Sequence, residues 1–123
     1  MIIGVGFDII ETDRIQNAAN NDLFYTKNFT EKEIAYFASR KYNMQTIAGN
    51  FAAKEAVLKC LECGLFDVPL SDIEVLRKQS GKPYINLYGK AMDKAQALGV
   101  CRVHISISHI RQYAAANAIA EGE

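Results

Sequence analysis

Hydrophobic and polar positions along the chain predict helices and strands that alternate without a regular repeat. Apolar runs rich in β-branched residues predict strands over residues 2–10, 73–78, 83–88 and 101–108. The four residues between the second and third of these strands predict a hairpin turn. The pattern of residues 113–120 does not decide between a helix and a strand. Their alanines favour a helix, whereas their position after a turn favours a strand antiparallel to the preceding one.

Helices are predicted where a start signal precedes apolar residues at helical spacing, over residues 11–19, 30–39, 48–62 and 91–98. Thr30 and Glu33 have the spacing of a capping box at the start of the second helix. The third helix is alanine-rich and has Gly64 as its expected C-cap, while residues 41–46 before it are expected to be loop. Helices interleaved with antiparallel strands in this way indicate an α+β domain.

Length and composition narrow the classes of protein further. The chain has 123 residues, 50% hydrophobic and 23% charged, which predicts one globular domain over residues 1–123. Fourteen basic residues balance fourteen acidic ones, so a general nucleic-acid partner is not expected. No apolar run approaches the roughly 18 residues of a membrane-spanning helix. Three cysteines and the absence of a leader-like start predict a cytoplasmic protein without a membrane partner.

Three charged positions are candidates for chemistry. Asp8 lies inside the first apolar strand, where a carboxylate is costly to bury without a partner or a cation. Capping of the next helix, or pairing with Arg14, is the alternative explanation. Glu55 and Lys59 lie one turn apart on the longest predicted helix, where an ordinary surface ion pair is one interpretation. The other is a metal-binding carboxylate beside a phosphate-binding ammonium, which suits Mg²⁺ and a diphosphate.

Cysteine and histidine spacing gives a separate hypothesis. Cys60, Cys63, Cys101 and His104 have the composition and spacing of a structural zinc site. However, residues three apart on a strand point to opposite faces, so Cys101 and His104 would not converge. A small zinc-binding module is therefore the minor alternative.

Four short motifs occur in order along the chain. They are GVGFDI at residues 4–9, FAAKEA at 51–56 followed by Lys59, GKP at 81–83, and SISH at 106–109. Together they resemble the holo-[acyl-carrier-protein] synthases, the small bacterial type of 4′-phosphopantetheinyl transferase, over nearly the whole chain. The resemblance implies an antiparallel sheet packed with helices and a homotrimer with active sites at its interfaces. It also implies transfer of phosphopantetheine from coenzyme A to a serine of apo-acyl carrier protein, with release of adenosine 3′,5′-bisphosphate.

The resemblance further implies roles for individual residues. Asp8 and Glu55 would hold Mg²⁺ against the coenzyme A diphosphate, and Lys59 would contact phosphate, which makes these three the expected catalytic residues. Further contacts to coenzyme A are expected from Gly64 and, at the adenosine and 3′-phosphate end in a neighbouring subunit, from Lys82, Pro83, Ser108 and His109. Arg14 and Lys27 would dock the carrier protein. Glu55 and a metal-bound water remain alternatives for accepting the serine proton.

The chain departs from the family pattern at three places. Asn50 replaces a basic residue, which predicts the loss of one phosphate contact. Glu62 and Cys63 replace a Gly-Thr pair, and Glu62 is a candidate for an additional acid near the metal. Residues 20–23 are not basic, so carrier docking should depend only modestly on salt. Loss of the Gly-Thr pair favours the alternative function, a non-catalytic relative that binds coenzyme A or a carrier protein.

Overall fold

The computed structural model describes residues 1–64 and 66–123, and it confirms an α+β fold. In chain order the elements are β1 (Ile2–Glu11), α1 (Thr12–Ala18), α2 (Leu23–Asn28), α3 (Glu31–Ser39), α4 (Met44–Cys60), β2 (Ile73–Arg77), β3 (Pro83–Leu87), α5 (Gly89–Leu98), β4 (Val100–His109) and β5 (Tyr113–Gly122). Strands β1, β5 and β4 form one antiparallel sheet in that spatial order, and β2 and β3 form a separate hairpin. None of the helices among the described residues is long and apolar enough to span a membrane.

Helix α4 lies against one face of the three-stranded sheet, here called the inner face, where small residues let the two backbones approach closely. The small residues on this face are Gly4, Gly6, Ala114, Ala116, Ala118 and Ala120. A Cβ atom on Gly6 would fall inside van der Waals contact of the Ala56 carbonyl oxygen. Asp8 follows Gly6 on the same face, so this close packing brings its carboxylate to the side of α4.

The opposite face of the same sheet, here called the outer face, carries exposed apolar side chains. Val5 is 66% exposed, Phe7 58% and Ile9 59%, and all three project from one side of β1. They lie beside Ile119 and Asn117 of the central strand β5. A contiguous apolar patch of this kind marks an interaction surface.

Most predicted elements are confirmed within a few residues, including the capping box of Thr30 and Glu33. Residues 113–120 belong to strand β5, because they pair with β1 on one side and β4 on the other. Helix α2 was not predicted. It is six residues long, and its Phe24 ring packs on Phe29 and Phe51 at centroid distances of 5.6 and 6.1 Å. Tertiary packing of these rings therefore stabilises a segment too short to form a helix alone.

The prediction for the start of α4 was wrong by four residues. The helix begins at Met44 because the Asn43 side chain accepts a hydrogen bond from the Thr46 backbone N–H at 3.1 Å. Residues 44–46, expected to be loop, are therefore helical.

The prediction that Gly64 caps the end of α4 was also wrong. The helix ends at Cys60, and Glu62 adopts a left-handed conformation with φ of 59°. The Cys63 N–H then donates to the Leu58 carbonyl oxygen at 2.9 Å, which is the hydrogen bond of a Schellman motif. Glu62 thus occupies a backbone position that favours glycine.

Replacing Glu62 with glycine should therefore stabilise the fold by about 1 kcal/mol, because a side chain in the left-handed region carries a steric cost. Urea unfolding at fixed protein concentration measures the effect. Glu62→Ala is the matched control, since alanine retains the Cβ atom. Equal stabilities of the glycine and alanine variants would show that no cost is stored at this position.

The carboxylate of Glu74 is buried beside strand β3 and fully hydrogen-bonded. It accepts hydrogen bonds from Thr30 Oγ1 at 2.6 Å, Asn86 Nδ2 at 3.1 Å and Tyr88 Oη at 3.0 Å. Burial acts to raise the pKa of Glu74, but these hydrogen bonds outweigh it and hold the pKa below its ordinary value. The ionised group therefore stabilises the native state.

This lowered pKa predicts an acid-dependent loss of stability. The stabilisation is complete above the unfolded-state pKa of about 4.3 and is lost as the pH falls through the lower folded-state value. We expect Glu74→Gln to flatten the decline in melting temperature between about pH 5 and pH 3, as measured by calorimetry. Glu31→Gln, at an exposed position, is the control. An unchanged pH slope in Glu74→Gln would contradict the assignment.

Candidate active site

Asp8 and Lys59 meet where β1 passes helix α4. Lys59 Nζ lies 3.1 Å from Asp8 Oδ1 and also donates to the Phe7 carbonyl oxygen at 2.9 Å. The side chain of Asp8 is 15% exposed and that of Lys59 56%, so the ammonium is open to a ligand from solvent. Both simpler explanations of Asp8 were wrong. Its ion-pair partner is Lys59 rather than Arg14, and α1 begins without a side-chain cap.

Glu55 lies on the same side of α4, one turn before Lys59. Burial and the negative charge of Asp8 raise the pKa of Glu55, while the charges of Lys59 and Arg14 oppose the shift in part. Two carboxylates and two cationic side chains therefore act on one another here. The ion pair of Lys59 is with Asp8, so the interpretation of Glu55 and Lys59 as a plain surface pair was wrong.

Asp8 and Glu55 have the chemistry of a Mg²⁺ ligand pair. Their mutual repulsion is what a divalent cation would relieve, and carboxylate oxygens are ligands that Mg²⁺ prefers. Nowhere in the described part of the chain do three or more His, Cys, Asp or Glu side chains gather as a metal site. The chain thus offers two ligands, and the remaining positions would go to water and substrate oxygens, which is usual for Mg²⁺.

Lys54, which precedes Glu55 in sequence, anchors the buried side of α4 through hydrogen bonds of its ammonium group. Lys54 Nζ donates to Glu33 Oε1 at 2.6 Å, and both side chains are 0% exposed. The carbonyl oxygens of Asn28, Leu70 and Ile73 lie 2.8, 3.0 and 2.6 Å from the same Nζ, so its three N–H groups are shared among four acceptors. These bonds fix the rotation of α4 about its axis, and the rotation directs Glu55 and Lys59 toward Asp8.

Sequence reasoning did not recognise this role of Lys54. The sequence feature that indicates this role is the set of apolar residues one helical turn away from Lys54. Val57 and Leu58 follow it at that spacing, and Phe51 precedes it. A lysine flanked in this way lies on a buried side of a helix, where its charge needs a partner.

Asn50 belongs to the same buried network. Its Nδ2 donates to the Val75 carbonyl oxygen at 3.1 Å, and its Oδ1 accepts from Arg77 Nη2 at 2.8 Å. Because the amide is fully buried, it is not available to a phosphate. The loss of one phosphate contact relative to the family stays a prediction.

Glu62 lies apart from the two carboxylates. It follows the end of α4 and lines a cavity of about 410 Å³ with Asp67, Lys90 and Lys94. The charges that act on Glu55 come from Asp8, Lys59 and Arg14. The structure thus shows no interaction of Glu62 with Glu55, and the hypothesis that Glu62 is an additional acid near the metal stays a prediction.

The residues expected at the nucleotide end of coenzyme A lie in two places. Lys82 and Pro83 line a cavity of about 420 Å³ between the β2–β3 hairpin and strand β4. Ser108 and His109 end β4 outside that cavity, and as successive strand residues they point to opposite faces. Within one chain the structure does not bring these two pairs together.

Gly64, also expected to contact coenzyme A, is exposed, and its N–H donates to Asp67 Oδ2 at 3.1 Å.

The expected docking residues are both exposed. Arg14 lies on α1, close enough to Glu55 for its charge to act on that carboxyl group. Lys27 lies in the last turn of α2 and lines a surface cavity with Asn21 and Leu23.

The residues of the zinc hypothesis have separate partners. Cys60 Sγ lies 3.5 Å from the Gly4 carbonyl oxygen, whereas His104 Nε2 lies 3.1 Å from Glu121 Oε1.

An exposed ammonium beside two carboxylates is the arrangement that a phosphoryl-transfer enzyme needs to hold a diphosphate and its cation. Residues 4–118 match the family described as the 4′-phosphopantetheinyl transferase superfamily. The chain is 46% identical over 124 residues to the holo-[acyl-carrier-protein] synthase of Clostridium tetani, covering 100% of this chain and 98% of the relative. This chain therefore belongs to the holo-[acyl-carrier-protein] synthases, enzymes of that superfamily.

Solved structures agree with this assignment. The Plasmodium yoelii acyl carrier protein synthase with ADP bound superposes with a TM-score of 0.89 at 34% identity, covering 100% of this chain and 97% of that one. The Bacillus anthracis holo-(acyl-carrier-protein) synthase, in complex with CoA (3′,5′-ADP), gives 0.81 at 34% identity, covering 100% and 99%. The predicted family is confirmed.

Proposed function

We propose that this chain uses Mg²⁺ to transfer the 4′-phosphopantetheine group of coenzyme A to a serine of an apo-acyl carrier protein, releasing adenosine 3′,5′-bisphosphate. The observation that carries the proposal is the convergence of Asp8, Glu55 and Lys59. The two carboxylates would hold the cation, and the Lys59 ammonium would bind a phosphate oxygen of the diphosphate. Retention of all three groups favours transfer over the binding-only alternative.

In the proposed reaction the serine Oγ attacks the phosphorus that carries pantetheine. The bond from that phosphorus to the bridging oxygen breaks, and its electron pair leaves with adenosine 3′,5′-bisphosphate. Bound Mg²⁺ supplies neutralisation of the charge that develops on the leaving group. Among the chain's own groups, Glu55 is the candidate to accept the serine proton, and a metal-bound water is the alternative acceptor.

Release of adenosine 3′,5′-bisphosphate, followed by liquid chromatography, tests this function. The incubation contains the chain, coenzyme A, Mg²⁺ and an apo-acyl carrier protein. We expect release that stops with a chelator and with a carrier protein whose acceptor serine is replaced by alanine. A chain that binds coenzyme A but releases no product with several carrier proteins would support the binding-only alternative instead.

We also propose that three copies assemble through the outer face and that each active site combines two copies. Burial of the exposed apolar side chains of β1 would drive assembly. The spacing of groups within one chain supports a shared site. Asp8 lies on β1, whereas Ile105 lines the cavity beside β4. The two residues are separated by two strand spacings across the sheet and by about two residues along it, which makes more than about 10 Å. In coenzyme A the diphosphate and the 3′-phosphate are attached to the same ribose, so they are closer together than these two places on one chain. One chain therefore does not bind both groups.

Val5→Glu should dissociate the assembly, because it places a charge in the middle of the apolar patch on the outer face. Light scattering after size exclusion measures the mass of the particle, and transfer activity should fall together with that mass. Ala35→Glu, at an exposed position on α3, is the matched control. A Val5→Glu variant that keeps the wild-type mass would contradict this interface.

We propose that Arg14 and Lys27 dock the carrier protein. The raised pKa of Glu55 is opposed in part by the Arg14 charge, so helix α1 lies beside the reaction centre. A modest dependence on salt stays a prediction, since only these two cations are assigned to docking.

We also propose that the enzyme works in the reducing cytoplasm. The proposal is supported by the free thiols of Cys60, Cys63 and Cys101.

A further inference from the structure

Glu33 on α3 is a buried carboxylate that accepts hydrogen bonds from three separate elements. The backbone N–H of Thr30, at the start of α3, donates to Oε1 at 3.1 Å, and the backbone N–H of Val75, on β2, donates to Oε2 at 3.2 Å. Lys54 Nζ of α4 donates to Oε1 at 2.6 Å. A buried polar network that is satisfied in this way is rigid, so the carboxylate is a fixed point to which α4 is attached.

Asn50 gives α4 a second attachment, one turn before Lys54. Its Nδ2 donates to the Val75 carbonyl oxygen at 3.1 Å, while the N–H of the same residue donates to Glu33. Among the described residues β2 pairs only with β3, so the backbone groups on its other edge need side-chain partners. Glu33 and Asn50 are those partners, and they join α4 to β2.

Two attachments one turn apart fix both the rotation of a helix and its position along its axis. A shift of α4 by one residue would rotate it by about 100° and displace it by about 1.5 Å, which would break both attachments. Glu55 follows Lys54 directly, so the rotation fixed at Lys54 sets the direction of the Glu55 side chain. Contact with Gly6 sets the distance between α4 and β1. The sheet thus determines how close α4 lies to Asp8, and Glu33 determines which side of α4 faces it.

We propose that Glu33 is a positioning residue for phosphopantetheine transfer, because its hold on Lys54 places Glu55 against Asp8. The inference rests on the proposed function and adds to it a residue that acts only through other side chains, since the Glu33 side chain is 0% exposed. Mg²⁺ requires nearly ideal geometry of its ligands, so a small displacement of Glu55 weakens the site. A misplacement of about 1 Å can lower a catalytic rate about 10²-fold.

Glu33→Asp tests this role because it keeps the charge but moves it. Aspartate is shorter by one C–C bond, about 1.5 Å, so its carboxylate cannot remain on both backbone N–H groups and also hold the Lys54 ammonium in place. Mn²⁺ is the probe, since carboxylate and water oxygens bind it too. Electron paramagnetic resonance of free Mn²⁺, with coenzyme A present and no carrier protein, measures binding. We expect Glu33→Asp to bind Mn²⁺ about 10-fold more weakly than the wild type.

Transfer kinetics give a second readout. In Glu33→Asp kcat should fall about 10²-fold, while the KM for the apo-carrier protein stays at the wild-type value. Glu31→Asp, the same substitution at an exposed position on α3, is the first control. Ile47→Ala, at a fully buried apolar position on α4, is the second, because it lowers stability and leaves the polar groups of the network in place. Both controls should keep the wild-type Mn²⁺ affinity and kcat.

Wild-type Mn²⁺ affinity and kcat in Glu33→Asp would overturn this inference alone. An equal loss in Ile47→Ala would also overturn it, because the effect would then follow from stability. If circular dichroism shows that Glu33→Asp does not fold, Asn50→Ala takes its place. It removes only the second attachment, so Mn²⁺ binding should weaken about 3- to 10-fold, and an unchanged affinity would count against the inference. A wild type that neither binds Mn²⁺ nor transfers would overturn the proposed function and this inference with it.

Discussion

Asp8→Asn should lower the rate of phosphopantetheine transfer by about 10²- to 10³-fold while the fold and assembly persist. The substitution removes one of two negative charges that would hold Mg²⁺, and it leaves an amide oxygen that can still accept the hydrogen bond from Lys59. The loss should therefore appear in kcat and in the Mg²⁺ concentration required, with the melting temperature little changed.

Titration of activity with Mg²⁺ separates this effect from a general loss of activity. Asp13→Asn, an exposed carboxylate on α1 in the same region, should retain the wild-type curve. If Asp8→Asn transferred phosphopantetheine at the wild-type rate with the wild-type Mg²⁺ requirement, Asp8 would not be a ligand.

Lys54→Met should destabilise the fold by about 3–5 kcal/mol, the largest effect we expect from one substitution. Without the ammonium, Glu33 remains buried without its ion-pair partner, and three backbone carbonyl oxygens lose the donor that Lys54 provides. Urea unfolding gives the change in free energy.

The same substitution one and a half turns later on α4 is the matched control. Lys59→Met removes an exposed ammonium and should cost less than about 1 kcal/mol of stability. Adding Glu33→Gln to Lys54→Met should recover part of the loss, because the unpaired charge is then removed. A Lys54→Met protein as stable as the Lys59→Met protein would show that the buried pair does not anchor the helix.

Local sequence signals predicted the elements whose cause is itself local. The capping box of Thr30 and Glu33 and the alternation along β4 are visible in a few neighbouring residues. Helix α2 was missed because its stability comes from Phe24 packing against rings that are distant in sequence. The end of α4 was misplaced because glycine was expected at the left-handed position, whereas Glu62 occupies it.

The residues of the candidate site could be predicted from the sequence, but their arrangement in space could not. Asp8, Glu55 and Lys59 were each ambiguous alone, and only the resemblance selected them together. Their convergence depends on Gly4 and Gly6, which let α4 touch β1, and no sequence rule specifies that contact. The pairing of Lys59 with Asp8 rather than Glu55 likewise depends on how the helix sits against the strand.

The most direct test is the intact mass of an apo-acyl carrier protein after incubation with this chain, coenzyme A and Mg²⁺. We predict a gain equal to one phosphopantetheine group on the carrier serine, absent with a chelator and strongly reduced with Asp8→Asn. An unchanged carrier mass, with a folded chain that binds coenzyme A and with several carrier proteins tried, would contradict the proposed transfer.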